Sequence, residues 1–399
     1  MVGDNACKFL RLYLENNSHY MNVLIASDKF KGSLSQEQVN SILAEVISEV
    51  KPEANIRITA LSDGGDGFLN TVGGTLSNAE LRTLKVSDPL FRKREAAFLF
   101  DLATSRAYIE FARASGMELL NEEQRNPFET SSVGVGQMIE RAVHIGAKEI
   151  YVGLGGSATN DGGMGIAHAV GFRFMDKDGI ALKPCGKNLE KVVEIIPPSL
   201  NPISKVKIFA VNDVNNPLYG VHGAAYVYAG QKGANASEIK VLDHGLRHFA
   251  EQVSKMTGYD YAGLPGSGAA GGAAFGLKSF LEAQYIKGID FMLKITGLRP
   301  LLVDRYFDLV ITGEGSIDDQ TLSGKLVAGL GRLAADSGIP VIAFCGVSSL
   351  TRVPPSAMGL KTVVSISNPE KDLDYNLKHA EVLLREKAYA FFSTYNFKN

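Results

Sequence analysis

MNVLIASDKFKGSLSQEQVNSILAEVISEV, residues 21–50, contains one full cycle of the pattern that sets the fold. VLIAS (23–27) is a short apolar run with the length and composition of a buried strand. It gives way to a polar, glycine-bearing turn, SDKFKGS (27–33). Ser35 and Gln38 then stand at capping-box spacing, and Val39, Ile42, Leu43, Val46, Ile47 and Val50 recur with helical period. Outward from this unit, further strands are expected at IRITAL (56–61), EIYVGL (149–154), VKIFAV (206–211), DLVITG (308–313), PVIAFCG (340–346) and TVVSIS (362–367). Several run into a Gly- or Asp-bearing turn and then a helical pattern, the βα rhythm of parallel sheets. About 86–135 reads differently, with FRKREAAFLF and RAYIEFARA between polar turns, and predicts a mixed or antiparallel region. No repeat or Pro-rich linker divides the chain, so two interleaved α/β domains are expected rather than beads on a string.

The 399 residues carry 41 Lys+Arg against 43 Asp+Glu, a net charge of −2, which argues against a nucleic-acid partner needing a basic surplus. No run reaches the ~18–20 apolar residues of a membrane helix. Cys7, Cys185 and Cys345 are odd in number and far apart, which points away from a disulfide framework and towards a reducing cytoplasm. Residues 1–20 carry no cleavage-site pattern and read as an extension before a strand that begins abruptly at Met21. The 42 glycines are about a tenth of the chain against a usual ~7%, and they are clustered.

Those clusters carry the chemistry. SDKFKGS follows the first strand, where open parallel sheets bind ligands, which places Asp28, Lys29, Lys31 and Ser33 well; a solvated turn would look the same. SDGGDGF (62–68) sets Asp63 and Asp66 in a glycine turn, able to hold magnesium or simply to favour the turn. GLGGSATNDGGMG (153–165) is the most specific. Its glycines, Gly155 and Gly156 among them, let backbone N–H groups close on an anion. Ser157, Thr159 and Asn160 add side-chain donors ahead of a helix N-terminus. LPGSGAAGGAAFG (264–276), with Gly266 and Gly268, permits close backbone approach to a ligand or a neighbouring helix. ITGEGSIDDQTLSGK (311–325) brings Glu314, Asp318 and Asp319 near Lys325, and Asp213 follows the strand at 206–211. His168 reads as a core residue of the helix through Ile166–Val170.

Two enzyme classes compete. GLGGSA (153–158) and GSGAAG (266–271) each match a dinucleotide fingerprint, with Asp176 about twenty residues beyond the first, so an NAD(P)-dependent oxidoreductase is the alternative. Neither match uses the carboxylates at 63, 66, 314 and 318. Phosphoryl transfer does, through Mg²⁺, cationic groups and an orienting base. A non-catalytic small-ligand binder leaves them without a role.

Taken in order, SDKFKGS, SDGGDG, RNPFETSSVGVGQ, GLGGSATNDGG, NDVNNPLYG, AGQKGA, PGSGAAGG and ITGEGSIDDQTLSGK closely resemble the motifs of bacterial type 1 glycerate kinases, from Met21 almost to the C-terminus. Lys29, Asp66, Asn212 and Ser316 depart from the family pattern. The resemblance implies ATP- and Mg²⁺-dependent phosphorylation of glycerate in the cytoplasm, with the 2-hydroxyl favoured and an interdomain cleft as the site. It implies a Rossmann- or flavodoxin-like parallel-sheet domain from both chain ends (21–85 and 290–399) and a mixed α/β domain inserted at 86–289. The partner is then a small molecule, with homo-oligomerisation left open.

On this basis the 153–163 and 265–272 loops are expected to cradle nucleotide phosphates or the substrate carboxylate. Lys31 and Lys325 would neutralise developing charge, and Asp63, Asp213 and Glu314 would gather round Mg²⁺. Asp161 and Asp318 compete as base or orienter of the glycerate hydroxyl. Arg125, with Thr130, Ser131 and Ser132, is a second candidate for the carboxylate.

Overall fold

A computed structural model describes residues 21–61, 65, 67–200, 203–319, 321–323 and 326–397. The extension 1–20, Asp63, Asp66 and Lys325 lie outside the described residues. In chain order the strands are β1 (Asn22–Ile25), β2 (Asn55–Ile58), β3 (Ala79–Ser87), β4 (Lys93–Asp101), β5 (Arg106–Glu110) and β6 (Glu149–Gly153). They continue with β7 (Arg173–Met175), β8 (Glu194–Ile196), β9 (Lys207–Val211), β10 (Gln284–Ile286), β11 (Leu309–Asp318), β12 (Val341–Ser349) and β13 (Thr362–Ser365). The chain divides into two units, with breaks between Leu61 and Ser62 and between Ile295 and Thr296.

The smaller unit, from the two chain ends, holds a five-stranded sheet in the order β13-β12-β11-β1-β2, every pair parallel. Counted within the unit this is 2-1-3-4-5, the flavodoxin order, whose ligand crevice lies beyond the ends of the first and third strands. Those strands are β1 and β11, with Val23 opposite Leu309 and Ile25 opposite Ile311. The helix Gln36–Val50 starts where expected: Ser35 and Gln38 form both halves of a capping box, worth about 1 kcal/mol. It stops at Lys51, before Pro52, because a residue preceding proline is driven out of helical geometry. Val39, Leu43, Val46 and Ile47 are fully buried with Val23, Ile25 and the C-terminal helix Ala380–Phe392. Each such side chain contributes about 1.5–3 kcal/mol by leaving water.

The larger unit holds a six-stranded sheet in the order β10-β9-β6-β5-β4-β3. β5, β6, β9 and β10 run parallel, while β3, β4 and β5 form the antiparallel part expected from the 86–135 texture. β7 and β8 make a separate antiparallel pair. The loops after β5, β6 and β9 therefore leave the same end of the sheet.

Three expectations change. Residues 62–85 and 290–295 were assigned to the domain made from the chain ends, yet they fall within the larger unit. β3 pairs with β4 from Ala79–Asp101 to Ser87–Lys93, Leu69 N donates to Glu110 Oε2 at 3.0 Å, and Phe291 packs on Phe68, Tyr108 and Tyr151. β11 runs on through Gly313–Asp318, where a turn was predicted, because Glu314 and Asp318 keep register with Cys345 and Ser349 of β12. His168 is exposed on the helix Met164–Ala169 rather than in the core. Among the described residues no helix is long and apolar enough to cross a membrane.

Candidate active site

In the larger unit the segment after β6 is held almost entirely by main chain. Met117 N donates to Gly156 O and Ala158 N to Ser115 O, both at 2.9 Å, which pins the segment to the end of β5. Gly155 lies so close to Gly65 of the SDGGDG stretch that a Cβ on it would stand 2.1 Å from the Gly65 Cα. Two of the glycine clusters named from the sequence thus meet.

The GSGAAGG segment closes the other side. Gly162 N donates to Gly271 O at 3.1 Å and Thr159 Oγ1 to Ala270 O at 3.4 Å. Gly271 has φ +65°, and a Cβ there would lie 1.9 Å from Thr159 O, so two main chains touch where a side chain has no room. The loop after β9 adds a third wall, with Gly268 N donating to Asn216 O at 2.9 Å and Gly266 standing beside Asn212.

Asp161 has a different place from that expected of a base. It is fully buried, and its Oδ2 accepts from Ser132 N and Ser132 Oγ, each at 2.8 Å, and from Gly165 N at 3.2 Å. Its Oδ1 accepts from Gly163 N at 3.1 Å. Burial pushes the carboxyl up while these donors pull it down. Both oxygens are committed to shaping the loop. Thr130, Ser131 and Ser132 are likewise buried and engaged: Thr130 Oγ1 donates to Ala158 O at 2.9 Å, and Ser131 Oγ accepts from Val133 N at 3.4 Å. Arg125 is half-buried, and its Nε has no partner among the described residues. The same is true of both polar side-chain atoms of the fully buried Asn160.

The residue that sequence reasoning passed over is Lys232, in AGQKGA. It is 3% exposed, and its Nζ donates to Ser157 Oγ at 2.9 Å and to Thr159 O at 2.7 Å. Burial draws its pKa down to about 7, and the negative charge of Asp161 opposes that shift. The signal available in the sequence was a lysine between Gln231 and Gly233, in a motif quoted only for its resemblance.

In the smaller unit the predicted residues gather at the ends of β1 and β11. Asp28 N donates to Gly313 O at 2.8 Å, and a Cβ on Gly315 would lie 3.0 Å from Lys31 N, so SDKFKGS and GEGSID lie side by side. Lys31 is exposed, Asp28 and Glu314 half-buried, and the Ser33 hydroxyl donates within its own turn to Phe30 O at 3.1 Å. Half-buried Asp318 exchanges hydrogen bonds with Thr321, N to Oγ1 and Oδ1 from N, both at 3.2 Å. Asp319 instead tethers the 351–353 segment, accepting from Thr351 Oγ1 at 2.7 Å and from the N–H groups of Thr351, Arg352 and Val353.

Residues 23–396 match the profile of the glycerate kinase family. The chain belongs to that family. The glycerate kinase of Halalkalibacterium halodurans is 38% identical over 367 residues, covering 92% of this chain and 96% of its own. The glycerate 2-kinase of Escherichia coli K12 is 37% identical over 327 residues, 82% of this chain and 85% of its own. A solved structure from Salmonella typhimurium LT2, provisionally named glycerate kinase 2, superposes with a TM-score of 0.78 at 34% identity, covering 94% of this chain and 98% of its own.

Membership of the glycerate kinase family makes the chain a phosphotransferase and removes the dinucleotide reading. The structure agrees on a specific point: Asp176, needed there for a ribose, accepts from Asp178 N and Ile180 N at 2.9 Å and closes its own turn. The expected metal trio fares differently. Asp63 lies outside the described residues, Asp213 Oδ1 accepts from Gly288 N at 2.8 Å, and among the described residues no three His, Cys, Asp or Glu side chains are grouped to hold an ion.

Proposed function

We propose that this glycerate kinase family member transfers the terminal phosphoryl group of MgATP to the 2-hydroxyl of D-glycerate, giving 2-phosphoglycerate. The observation that carries the reading is the glycine-rich turn Gly155–Asn160, packed main chain to main chain against Gly65 and Gly271, with the buried Lys232 donating to Ser157 Oγ and Thr159 O. A glycine turn that holds a buried ammonium suits an anionic ligand. Gly155, Gly156, Ser157, Thr159, Asn160, Gly266 and Gly268 cradle the nucleotide phosphates or the substrate carboxylate, with Arg125 as a further cation. In the smaller unit Asp28 and Ser33 border the ligand crevice, and Lys31 and Lys325 offset charge on the transferring group. Asp318 orients the acceptor hydroxyl and takes its proton, leaving Asp161 as a positioning residue.

Magnesium enters on the phosphates as part of the MgATP substrate and neutralises their charge there. One or two of Asp63, Asp213 and Glu314 are the carboxylates proposed to meet it, since such an ion needs no more from the protein. The 2-position is supported by the similarity to the E. coli glycerate 2-kinase. A cytoplasmic setting is supported by the free, buried Cys185 and Cys345.

Proton-coupled ³¹P NMR of the product from ATP, Mg²⁺ and D-glycerate tests the reading. Phosphate on the 2-oxygen couples to one carbon-bound proton and appears as a doublet. A triplet would move the reaction to the terminal hydroxyl, and no new phosphate ester would end the proposal.

A further inference from the structure

We propose that Lys232 is a positioning residue for the anionic ligand: by donating to Ser157 Oγ and Thr159 O it fixes the turn and commits the Ser157 hydroxyl proton to that ligand. The proposal rests on the functional reading above.

The argument begins with donor counting. An ammonium has three donors and no acceptor, and a hydroxyl has one donor and two acceptor sites. Because Lys232 Nζ must donate to Ser157 Oγ, the serine proton has to point elsewhere. The contact to Thr159 O ties the same ammonium to the main chain two residues on. Lysine is almost never fully buried unless its charge is answered, and Lys232 is 3% exposed. Asn160, beside Thr159, buries both polar side-chain atoms without a partner among the described residues, which is a second and independent sign of a ligand at this turn.

Asp161 acts on Lys232 from the same loop. The 122–125 turn abuts the adjoining Gly233 through the Arg125 carbonyl. Tyr228, from the preceding turn, is bonded to Asn216, and Glu238 of the following helix accepts from Asn235 N. With its pKa drawn to about 7, the lysine is charged on the acid side and neutral on the basic side. Affinity for an anion is therefore highest below that value and is lost as pH rises through it.

The test compares full-length wild type, Lys232→Met and Ser157→Ala with MgATP and D-glycerate across this pH range. At the acid end each variant should raise KM for the same substrate by about tenfold or more, with kcat within about threefold. The double variant should add little to the worse single one. The wild-type kcat/KM for that substrate should bend down above about pH 7, and the bend should vanish in Lys232→Met. A folded Lys232→Met with both KM values unchanged, or with the same bend, overturns the proposal. If Lys232→Met does not fold, an unchanged KM in Ser157→Ala or a flat wild-type profile overturns it equally. Thermal stabilisation by inorganic tripolyphosphate, present in wild type and weakened in Ser157→Ala, reads the turn without turnover. Its absence from wild type overturns the proposal, whereas a wild type that binds tripolyphosphate but makes no phosphoglycerate defeats the functional reading alone.

Discussion

The two units offer a ligand different materials. In the larger unit the candidate site is made of main chain: Gly155 against Gly65, Gly271 against Thr159, and side chains such as Asp161 and Ser132 turned inward to hold that main chain. In the smaller unit it is made of side chains at the ends of β1 and β11, with Asp28, Lys31, Glu314 and Asp318 half-buried or exposed. A glycine loop gains its shape from contacts that leave no tolerance, whereas a strand end presents charged groups that can change without disturbing the sheet. Substitutions of the glycines and of Asp161 in the first region should therefore register as stability, and those in the second as rate.

The sharpest way to break that contrast is Gly271→Ala. Its methyl would meet Thr159 O at 1.9 Å on a backbone with positive φ. Left-handed strain and overpacking together should remove about 3–5 kcal/mol of stability, measured by urea denaturation; an unchanged midpoint would mean the loops are not locked together. Asp318→Asn is the counterpart in the smaller unit. It should lower kcat by about 10²–10⁴ while the urea midpoint stays put, and turnover within threefold would strip Asp318 of its proposed role. Asp161→Asn sharpens the contrast because the residue type is the same. Its amide would face donors with a donor, so about 2–4 kcal/mol of stability should be lost, with kcat in the surviving folded enzyme changing far less than in Asp318→Asn.

Asp319→Asn should have the smallest effect. Contacts from Thr351, and then from Arg352 and Val353, lower the Asp319 carboxyl to about 2 from 3.8. Its stabilising contribution is thus complete above the ordinary value and lost as pH falls through the lowered one. Protection from hydrogen exchange, relative to the intrinsic rate at each pH, should fall at the Thr351, Arg352 and Val353 amides in Asp319→Asn at neutral pH, and in wild type only near about pH 2. Global unfolding should not move, and unaltered exchange would show that the tether is not what orders the segment.

The parts of the fold that could be read in advance were local. The Ser35–Gln38 capping box and the strand starts near residues 22, 149, 207, 309, 341 and 362 depend on neighbours a few residues away, and they appear where the pattern placed them. What could not be read depends on partners far along the chain. The pairing of β3 with β4 draws residues 79–85 into the larger unit, and the register with β12 keeps GEGSID extended. The glycine clusters were legible by composition as places of close main-chain approach, but the division of labour within them was not. Asp161 looks like any acid until its four donors are counted, and Lys232 looks like any surface lysine until its burial is known.

The flavodoxin order has a consequence for how the chain is made. Thr312 Oγ1 bonds to Ala26 O across 286 residues, so β1 leaves the ribosome long before its neighbour β11 exists. At ~5–20 residues per second that interval is roughly 15–60 s. The larger unit, continuous in sequence, can collapse during the wait, while Val23, Leu24 and Ile25 must be kept from mispairing until the far end of the message is translated.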